Sequence, residues 1–200
     1  MSSGEDKAWK ILRGLHPEDV CKNAAVEYDH ATGMYLLKSF GMDIYVDKHN
    51  ERIYSDAPDA DLLLGRLGYF SILSILFYLT SAKDIPLSGK LLQPVNLKGG
   101  HIFFRGTHVL PLEKLASKYG NDADGFLKRG RELGGKELNY GDAAVQLFPF
   151  PRIPVVIILW REDEEFPPRM DILFDSTCEF HLALDILWSI AMKSLLIMMC

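Results

Sequence analysis

The stretch "IPVVIILW", residues 153–160, is the feature that most limits how this chain can fold. It is apolar at nearly every position and lacks the alternation of a half-exposed strand, so it predicts a strand at the centre of a sheet, covered on both faces. The neighbouring stretches "DAAVQLFPF" and "RMDILFDS" also predict strands. The connections between the three are short enough to make them antiparallel neighbours.

Two apolar stretches raise the question of a membrane. The first, "LLLGRLGYFSILSILFYLT" at residues 62–80, is about as long as a membrane span, whereas "ILWSIAMKSLLIMMC" at residues 186–200 is shorter than the roughly 20 residues needed. Arg66 inside the first stretch and the acidic "DAPDAD" before it oppose a span, because a charge in the bilayer is costly. We therefore predict a buried helix at 62–80, with a span as the alternative. The stretch "HLALDILWSIAMKSLLIMMC" predicts a closing helix.

The remaining elements complete an α+β pattern. Short strands separated by turn residues predict an antiparallel meander at residues 34–40, 42–46 and 52–55. Helices are expected at residues 5–12 and 17–28 and in the stretches "PLEKLASKYG" and "DADGFLKRGRELGG", whereas "HIFF" is expected to be a short strand or an extended segment.

The expected fold is a single α+β domain that spans residues 1–200. We expect a mixed or mainly antiparallel sheet of about six strands, covered by two long apolar helices and several short ones. A chain of this length can bury a sizeable core without a disulfide or a metal ion.

Charge and cysteine content exclude several classes of protein. The net charge is −5 and the 22 basic residues are scattered along the chain, so a nucleic acid would be repelled. The three cysteines are far apart and form no CxxC pair, which is typical of free thiols in a reducing compartment. The start, "MSSGEDKAWK", has no secretory signal. We therefore expect a cytoplasmic protein that binds neither nucleic acid nor membrane.

The stretch "FDSTCEFHLALD" contains the first candidate site. If one helix begins near Cys178, His181 and Asp185 lie four residues apart on one face, and Asp175 at the strand end can point to the same place. An imidazole and two carboxylates suit a divalent metal ion. The alternative is structural, with Asp175 as a helix cap and His181 and Asp185 as an exposed pair. Cys178 is either a packed apolar residue or a thiol activated by the helix dipole.

The stretch "KGGHIFFRGTHVLP" contains the second candidate site. His101 and His108 flank Arg105, whose guanidinium can bind a carboxylate or phosphate through two hydrogen bonds. The nearby glycines would let the backbone approach a ligand closely. The alternative is a loop with turn glycines and surface histidines. No phosphate-binding loop, dinucleotide-binding fingerprint, nucleophile elbow or zinc-protease motif occurs in the chain.

Several short segments together resemble a known family. They are a hydrophobic helix followed by "PLSG", the aromatic-Arg-Gly segment "FFRG", the strand entry "PRIP", "LWRED" and "LFDS". From about Val20 to Leu195 the chain resembles an uncharacterised domain-of-unknown-function family of anaerobic bacteria and archaea. Members are sometimes joined to an iron–sulfur domain of the type found in corrinoid proteins. The resemblance implies a setting in anaerobic one-carbon or corrinoid metabolism and no catalytic residues, and this chain has no four-cysteine module of its own.

Three functional hypotheses follow. The leading one is an accessory or binding module that holds a small anionic ligand, or the cofactor of a corrinoid or iron–sulfur partner protein, near His101, Arg105, His108 and Asp175. The second is a metal-assisted hydrolase or transferase, in which Asp175, His181 and Asp185 bind the metal ion. His108 or Glu165 would then transfer a proton. The third is a homodimer or other interaction protein that uses the methionine-rich closing helix. The identity of any cofactor stays open.

Overall fold

The computed structural model describes residues 3–58, 60–104 and 106–200. Two helices open the chain, α1 (Ser3–Gly14) and α2 (Pro17–Ala24). Helix α2 is shorter than the predicted helix at 17–28 because Ala25 takes left-handed backbone angles, with φ of 51°, and ends it. The chain then enters a strand.

An antiparallel meander forms the first sheet. Its strands pair in chain order: β1 (Glu27–Asp29), β2 (Met34–Ser39), β3 (Met42–Asp47) and β4 (Arg52–Tyr54). Strand β2 buries Tyr35, Leu37 and Ser39 and leaves the alternate residues half-buried or exposed. One face of the meander therefore packs on the core and the other faces outward.

The long apolar stretch is not one continuous helix. It begins with a π-helical segment, Asp61–Arg66, and α3 (Gly68–Ser81) follows after a break at Leu67. Helix α3 has 14 residues and is therefore about 21 Å long, less than the ~30 Å of a bilayer core. In residues 3–58, 60–104 and 106–200, no helix combines the length and apolar character that crossing a membrane requires.

The middle of the chain is built from short elements. They are β5 (Leu91–Leu92), a 3₁₀ turn (Pro94–Asn96), α4 (Gly100–Phe103), a second 3₁₀ turn (Gly106–His108), α5 (Leu112–Tyr119) and α6 (Ala123–Glu132). The prediction that "HIFF" is a strand is wrong, because these residues lie in and next to α4. A Cβ atom at Gly100 would collide with the Pro94 carbonyl oxygen, so this tight approach requires glycine.

The second sheet is antiparallel and has the strand order β5-β9-β8-β7-β6. Its remaining strands are β6 (Lys136–Leu138), β7 (Ala143–Phe150), β8 (Ile153–Trp160) and β9 (Arg169–Asp175). The apolar strand β8 occupies the centre, as predicted. Val155 and Ile157 pack in the main core, whereas Val156 and Ile158 belong to a separate small cluster on the opposite face.

The chain ends in two helices, α7 (Cys178–His181) and α8 (Leu184–Met199). The predicted single closing helix is interrupted at Leu182, whose extended angles (φ −139°, ψ 149°) end α7. The main core joins α1, α3 and α8 with residues of both sheets. The α+β class is confirmed, but one sheet of about six strands is wrong, because the described chain forms sheets of four and five strands. Strands β1, β5 and β6 have only two or three residues, too few for alternation to reveal them.

Candidate functional site

Asp175 lies at the end of β9 and is almost fully buried, with 3% of its surface exposed. Its carboxylate accepts hydrogen bonds from the backbone N–H and hydroxyl groups of Ser88 (3.1 and 3.0 Å) and of Thr177 (3.0 and 2.7 Å). The N–H of Gly89 donates a fifth, at 2.7 Å. Burial by itself raises the pKa of Asp175, but the bonds from Thr177 and Ser88 outweigh it and hold this pKa below its usual value.

The loop that surrounds Asp175 is shaped to enclose an anion. Gly89 has left-handed backbone angles, with φ of 73°, which side chains rarely tolerate, and consecutive N–H groups of Ser88 and Gly89 both point at the carboxylate. Ser176 then donates its N–H to the Lys90 carbonyl at 2.8 Å. Asp175 therefore fills this anion site itself and fastens the loop to the sheet.

Arg152 fastens the same loop from its other end. Its guanidinium donates to the carbonyl of Ile85 at 3.2 Å, to the carbonyl of Lys22 at 2.8 Å and to the carboxylate of Asp84 at 2.6 Å. Its backbone N–H donates to the hydroxyl of Tyr78 at 3.2 Å. These contacts join the turn between β7 and β8 to helix α3, the loop after it and helix α2, so Arg152 has a structural role at this corner.

His181 is buried at the same corner, beyond Arg152. Its Nδ1 atom accepts the N–H of Lys83 at 3.1 Å, which leaves the proton of the neutral ring on Nε2. The Nε2 atom is buried and has no hydrogen-bond partner in the described part of the chain. Burial lowers the pKa of His181, and the positive charges of Arg152 and Lys83 lower it further.

The predicted arrangement of His181 and Asp185 on one helix is wrong. His181 ends α7, Leu182 is extended, and Asp185 lies exposed in the first turn of α8. Within residues 3–58, 60–104 and 106–200, no three His, Cys, Asp or Glu side chains group together in a way that could hold a metal ion. The geometry therefore gives the Asp175, His181 and Asp185 set no support as a metal site.

Cys178, the other candidate of this corner, is buried. Burial raises the pKa of its thiol to about 12, and the charges of Glu179 and Asp175 contribute in the same direction. A thiol with this pKa stays protonated at neutral pH and is a poor nucleophile. The packed, apolar interpretation of Cys178 fits this environment.

The histidines of the second candidate site lie on different elements. His101 is exposed on α4, and His108 ends the following 3₁₀ turn. The His108 ring stacks on Phe103, with centroids 4.2 Å apart, and meets Trp188 edge-on at 5.1 Å. Its carbonyl accepts the indole N–H of Trp188 at 3.0 Å, so His108 anchors this segment to α8. Arg105 lies outside the described residues, and its predicted approach to Asp175 stays a prediction.

A pocket of about 240 Å³, here called the β9 pocket, lies between this segment and the sheet. Most of its lining is apolar and comes from Pro94, Val95, Phe104, Val109, Leu110 and Ile172. Strand β5 pairs with β9 only at Asp175 and Phe174, so the edge of β9 beyond Leu92 borders this pocket. Pro94 follows β5 and has no N–H to continue the ladder.

Asp171 and Gln93 are the polar lining residues of the β9 pocket. One Asp171 oxygen accepts the indole N–H of Trp160 at 2.8 Å, whereas the other, among the described residues, has only a long contact, 3.4 Å, with the Gln93 amide. Sequence reasoning did not select either residue. The available signal was Asp171 itself, a single charge inside the apolar strand "RMDILF".

A family model described as a domain of unknown function (DUF3786) matches residues 16–195. The chain belongs to this family. The expected membership in a domain-of-unknown-function family is confirmed, and the match spans both sheets and the Asp175 corner. No curated protein and no solved structure matches the chain. The anaerobic setting and the corrinoid or iron–sulfur partner stay predictions of the resemblance.

Three segments that carry the resemblance meet around one loop. "PLSG" is part of the loop itself, "PRIP" supplies Arg152, and "LFDS" supplies Asp175. Arg152 and the carboxylate of Asp175 each bind this loop through several hydrogen bonds. The structural interpretation of these family motifs is therefore supported by their contacts, and the β9 pocket is a separate cavity that neither Arg152 nor Asp175 lines.

Proposed function

We propose that this domain is a binding module that holds a small, largely apolar molecule in the β9 pocket. The observation that carries the proposal is a concave, mainly apolar cavity whose lining includes two neighbouring polar side chains, Asp171 and Gln93. Cavities of this composition are typical of small-molecule sites, in which a few polar groups orient the ligand. The volume of about 240 Å³ is below the usual 300–1,000 Å³ range, which favours a small ligand.

The exposed apolar residues of the pocket support this interpretation. Val109 is 62% exposed and Val95 is 43% exposed, although both line the cavity. A bound molecule would remove part of this apolar surface from water, at roughly 25 cal/mol for each Å². The apolar lining therefore supplies the affinity.

Asp171 sets the expected polar chemistry of the ligand. Within the part of the chain that the structure describes, its oxygen that faces Gln93 has only the 3.4 Å contact, which is longer than a normal hydrogen bond. A ligand N–H or O–H group could bind this oxygen more closely than the amide does. A neutral or cationic donor group fits this position better than an anion does.

The predicted anionic character of the ligand depends on Arg105, which follows Phe104, a lining residue, in the chain. A guanidinium near the pocket would balance the charge of Asp171 and accept an anionic group. The proposal therefore has two forms, one with a neutral donor ligand and one with an anionic ligand. Two aromatic probes of similar size, one neutral and one anionic, distinguish them.

The test is an NMR titration with benzyl alcohol and with benzoate, following backbone amide signals of the pocket. We expect benzyl alcohol to shift signals of Phe104, Val109 and Ile172 in a saturable manner. Replacing Val109 with Asp should abolish these shifts, whereas Ile102→Asp, which places the same charge on the exposed α4 outside the pocket, should preserve them. Benzoate should bind only if Arg105 contributes, and Arg105→Ala should then remove benzoate binding alone.

Absence of saturable shifts with both probes would refute the proposal. Equal effects of Val109→Asp and Ile102→Asp would also refute it, because they would place the binding elsewhere. The fold of each variant is checked first by circular dichroism.

A further inference from the structure

A second cavity, of about 460 Å³, lies at the meander and is here called the meander pocket; residues of its outward face and also Tyr28 and Tyr35 of the other face line it. Leu36, Tyr45 and Tyr54 form one row across this face, since Leu36 pairs with Tyr45 and Tyr45 pairs with Tyr54. All three line the cavity and are only partly buried. The opposite face of β2 packs on the core through Tyr35 and Leu37.

Two tyrosine rings form an aromatic wall in this pocket. The rings of Tyr45 and Tyr54 stack across the strands with their centroids 5.3 Å apart and their planes inclined by 25°. The Tyr54 hydroxyl donates to the sulfur of Met34 at 3.2 Å, which holds its ring in place. The electron-rich faces of such rings attract cations.

The charged groups that line the meander pocket are all acidic in the part of the chain that the structure describes. Glu27, Asp29 and Asp56 contribute three exposed carboxylates. Asp29 already accepts the N–H of Ala31 and the hydroxyl of Thr32, so Glu27 and Asp56 are the carboxylates better placed to attract a ligand. Acidic groups beside aromatic rings favour a positively charged molecule over a neutral one.

The basic residues around this sheet already interact with its other groups. Arg52 lies 5.8 Å from the centre of the Tyr54 ring, and Lys38 pairs with Asp43. The buried Lys48 lies 5.2 Å from the centre of the Tyr28 ring and 5.7 Å from that of the Tyr35 ring, and both rings also line the pocket. Tyrosine rings of the meander therefore accept cations within the protein itself, and Tyr45 has no such intramolecular cation among the described residues.

We infer that the meander pocket binds an organic ammonium ion, with its charge against the Tyr45 ring and near the Glu27 and Asp56 carboxylates. A bare metal ion fits this pocket poorly, because metal ions need several converging oxygen or nitrogen ligands and most of the lining here is aromatic or apolar. An alkylated ammonium ion instead combines a spread positive charge with apolar surface. The site is independent of the β9 pocket, which shares no lining residue with it.

The test uses tetramethylammonium chloride as the probe, with sodium chloride at the same ionic strength as the reference. We expect saturable shifts of the Tyr45 and Tyr54 ring signals in NMR spectra of the full chain with tetramethylammonium and none with sodium. Tyr45→Leu should weaken binding about tenfold, whereas Tyr45→Phe, which keeps a ring, should retain most of it. Tyr140→Leu removes an exposed tyrosine outside the pocket and should leave binding unchanged.

Glu27→Gln provides a second variant that does not alter the aromatic wall. It should weaken tetramethylammonium binding severalfold, and the effect should shrink at high salt because the carboxylate is exposed. The inference is overturned if tetramethylammonium and sodium shift the ring signals equally. It is also overturned if folded Tyr45→Leu protein binds tetramethylammonium as tightly as the unchanged chain does.

Discussion

The Nζ atom of Lys193 lies 4.0 Å from the centre of the Phe150 ring, inside the main core. Lys193 has no exposed surface, and its hydrogen-bond partner is the Ser74 hydroxyl at 3.1 Å. No carboxylate pairs with this amine in the described residues. Burial alone lowers the pKa of Lys193 to about 7, because a charged amine loses its hydration in the core.

Replacing Lys193 with Met should stabilise the protein at pH 7. The change removes a buried group that is partly charged and keeps a flexible apolar side chain of similar length, so we expect a gain of about 1–4 kcal/mol in the free energy of unfolding. The measurement is urea denaturation followed by circular dichroism. Lys114→Met, which removes an exposed lysine of α5, should change the stability by less than about 0.5 kcal/mol.

The gain from Lys193→Met should depend on pH in a defined direction. The folded pKa is about 7 and the ordinary value is 10.5, so between these values the unfolded state binds more protons and the unchanged protein becomes more stable as pH rises. The advantage of the Met variant should therefore be largest at pH 7 and below, and should shrink toward pH 10. A gain that is constant from pH 7 to pH 10 would contradict the assigned pKa.

Replacing Asp175 with Asn should destabilise the fold by about 3 kcal/mol. The amide group has one accepting oxygen and two N–H donors, so at least one of the donors from Ser88, Gly89 and Thr177 loses its partner inside the protein. The measurement is again urea denaturation at pH 7. Glu162→Gln, in the exposed loop after β8, is the matched control and should have little effect.

Asp175 should also contribute to acid unfolding. Its folded pKa lies below the ordinary value of 3.8, so its stabilising effect is complete above that value and is lost as pH falls through the lower, folded pKa. The difference in stability between the unchanged protein and Asp175→Asn should therefore narrow below about pH 4. A difference that persists unchanged to pH 2 would show that the charge of Asp175 is not responsible.

His181 should remain neutral in mildly acidic solution, with its proton on Nε2. Because its pKa is lowered from 6.5, protonation of the unfolded state begins first, and the stability that depends on neutral His181 declines as pH falls below that value. Nitrogen-15 NMR of the imidazole ring gives both the tautomer and the titration. Detection of a proton on Nδ1 at pH 7 would contradict the hydrogen bond from Lys83.

Cys178 and Cys200 should differ in their reaction with a thiol reagent. Cys178 is buried and its pKa is about 12, whereas Cys200 is exposed at the end of the chain. Under native conditions we expect a disulfide reagent such as Ellman's to modify Cys200 first and Cys178 only after denaturant is added, because the thiolate is the reactive form. Mass spectrometry of peptides identifies the modified residue. If the reagent modified Cys178 rapidly without denaturant, the thiol would be accessible and reactive, and Cys178 would again be a candidate nucleophile.

Local sequence patterns were sufficient for the regular elements with strong periodicity or long apolar runs. The apolar run in β8 predicted a central strand because a strand covered on both faces needs apolar residues at every position. The meander and the antiparallel hairpin of β8 and β9 followed from short strands and short connections. The same reasoning missed the breaks at Leu67 and Leu182, because both lie inside apolar stretches without a proline.

At the candidate site, too, local sequence patterns predict some features and miss others. Asp175 lies between β9 and α7, at the strand-to-helix corner that the sequence predicts, but its partners Ser88 and Gly89 are more than 80 residues away in the chain. The sequence placed His181 and Asp185 on one helical face, an arrangement that an extended residue removes. The sequence does not predict Asp171 as a site residue, because its significance depends on the cavity that it lines.

The sequence by itself determined the α+β class, the central position of β8 and the family, because these depend on local periodicity and on the order of motifs along the chain. Only the tertiary structure decided that Asp175 is enclosed by five donors, that Lys193 lies in the core and that the β9 pocket and the meander pocket border the sheets. Burial and hydrogen-bond satisfaction depend on which distant segments pack together, and a local pattern does not contain that information.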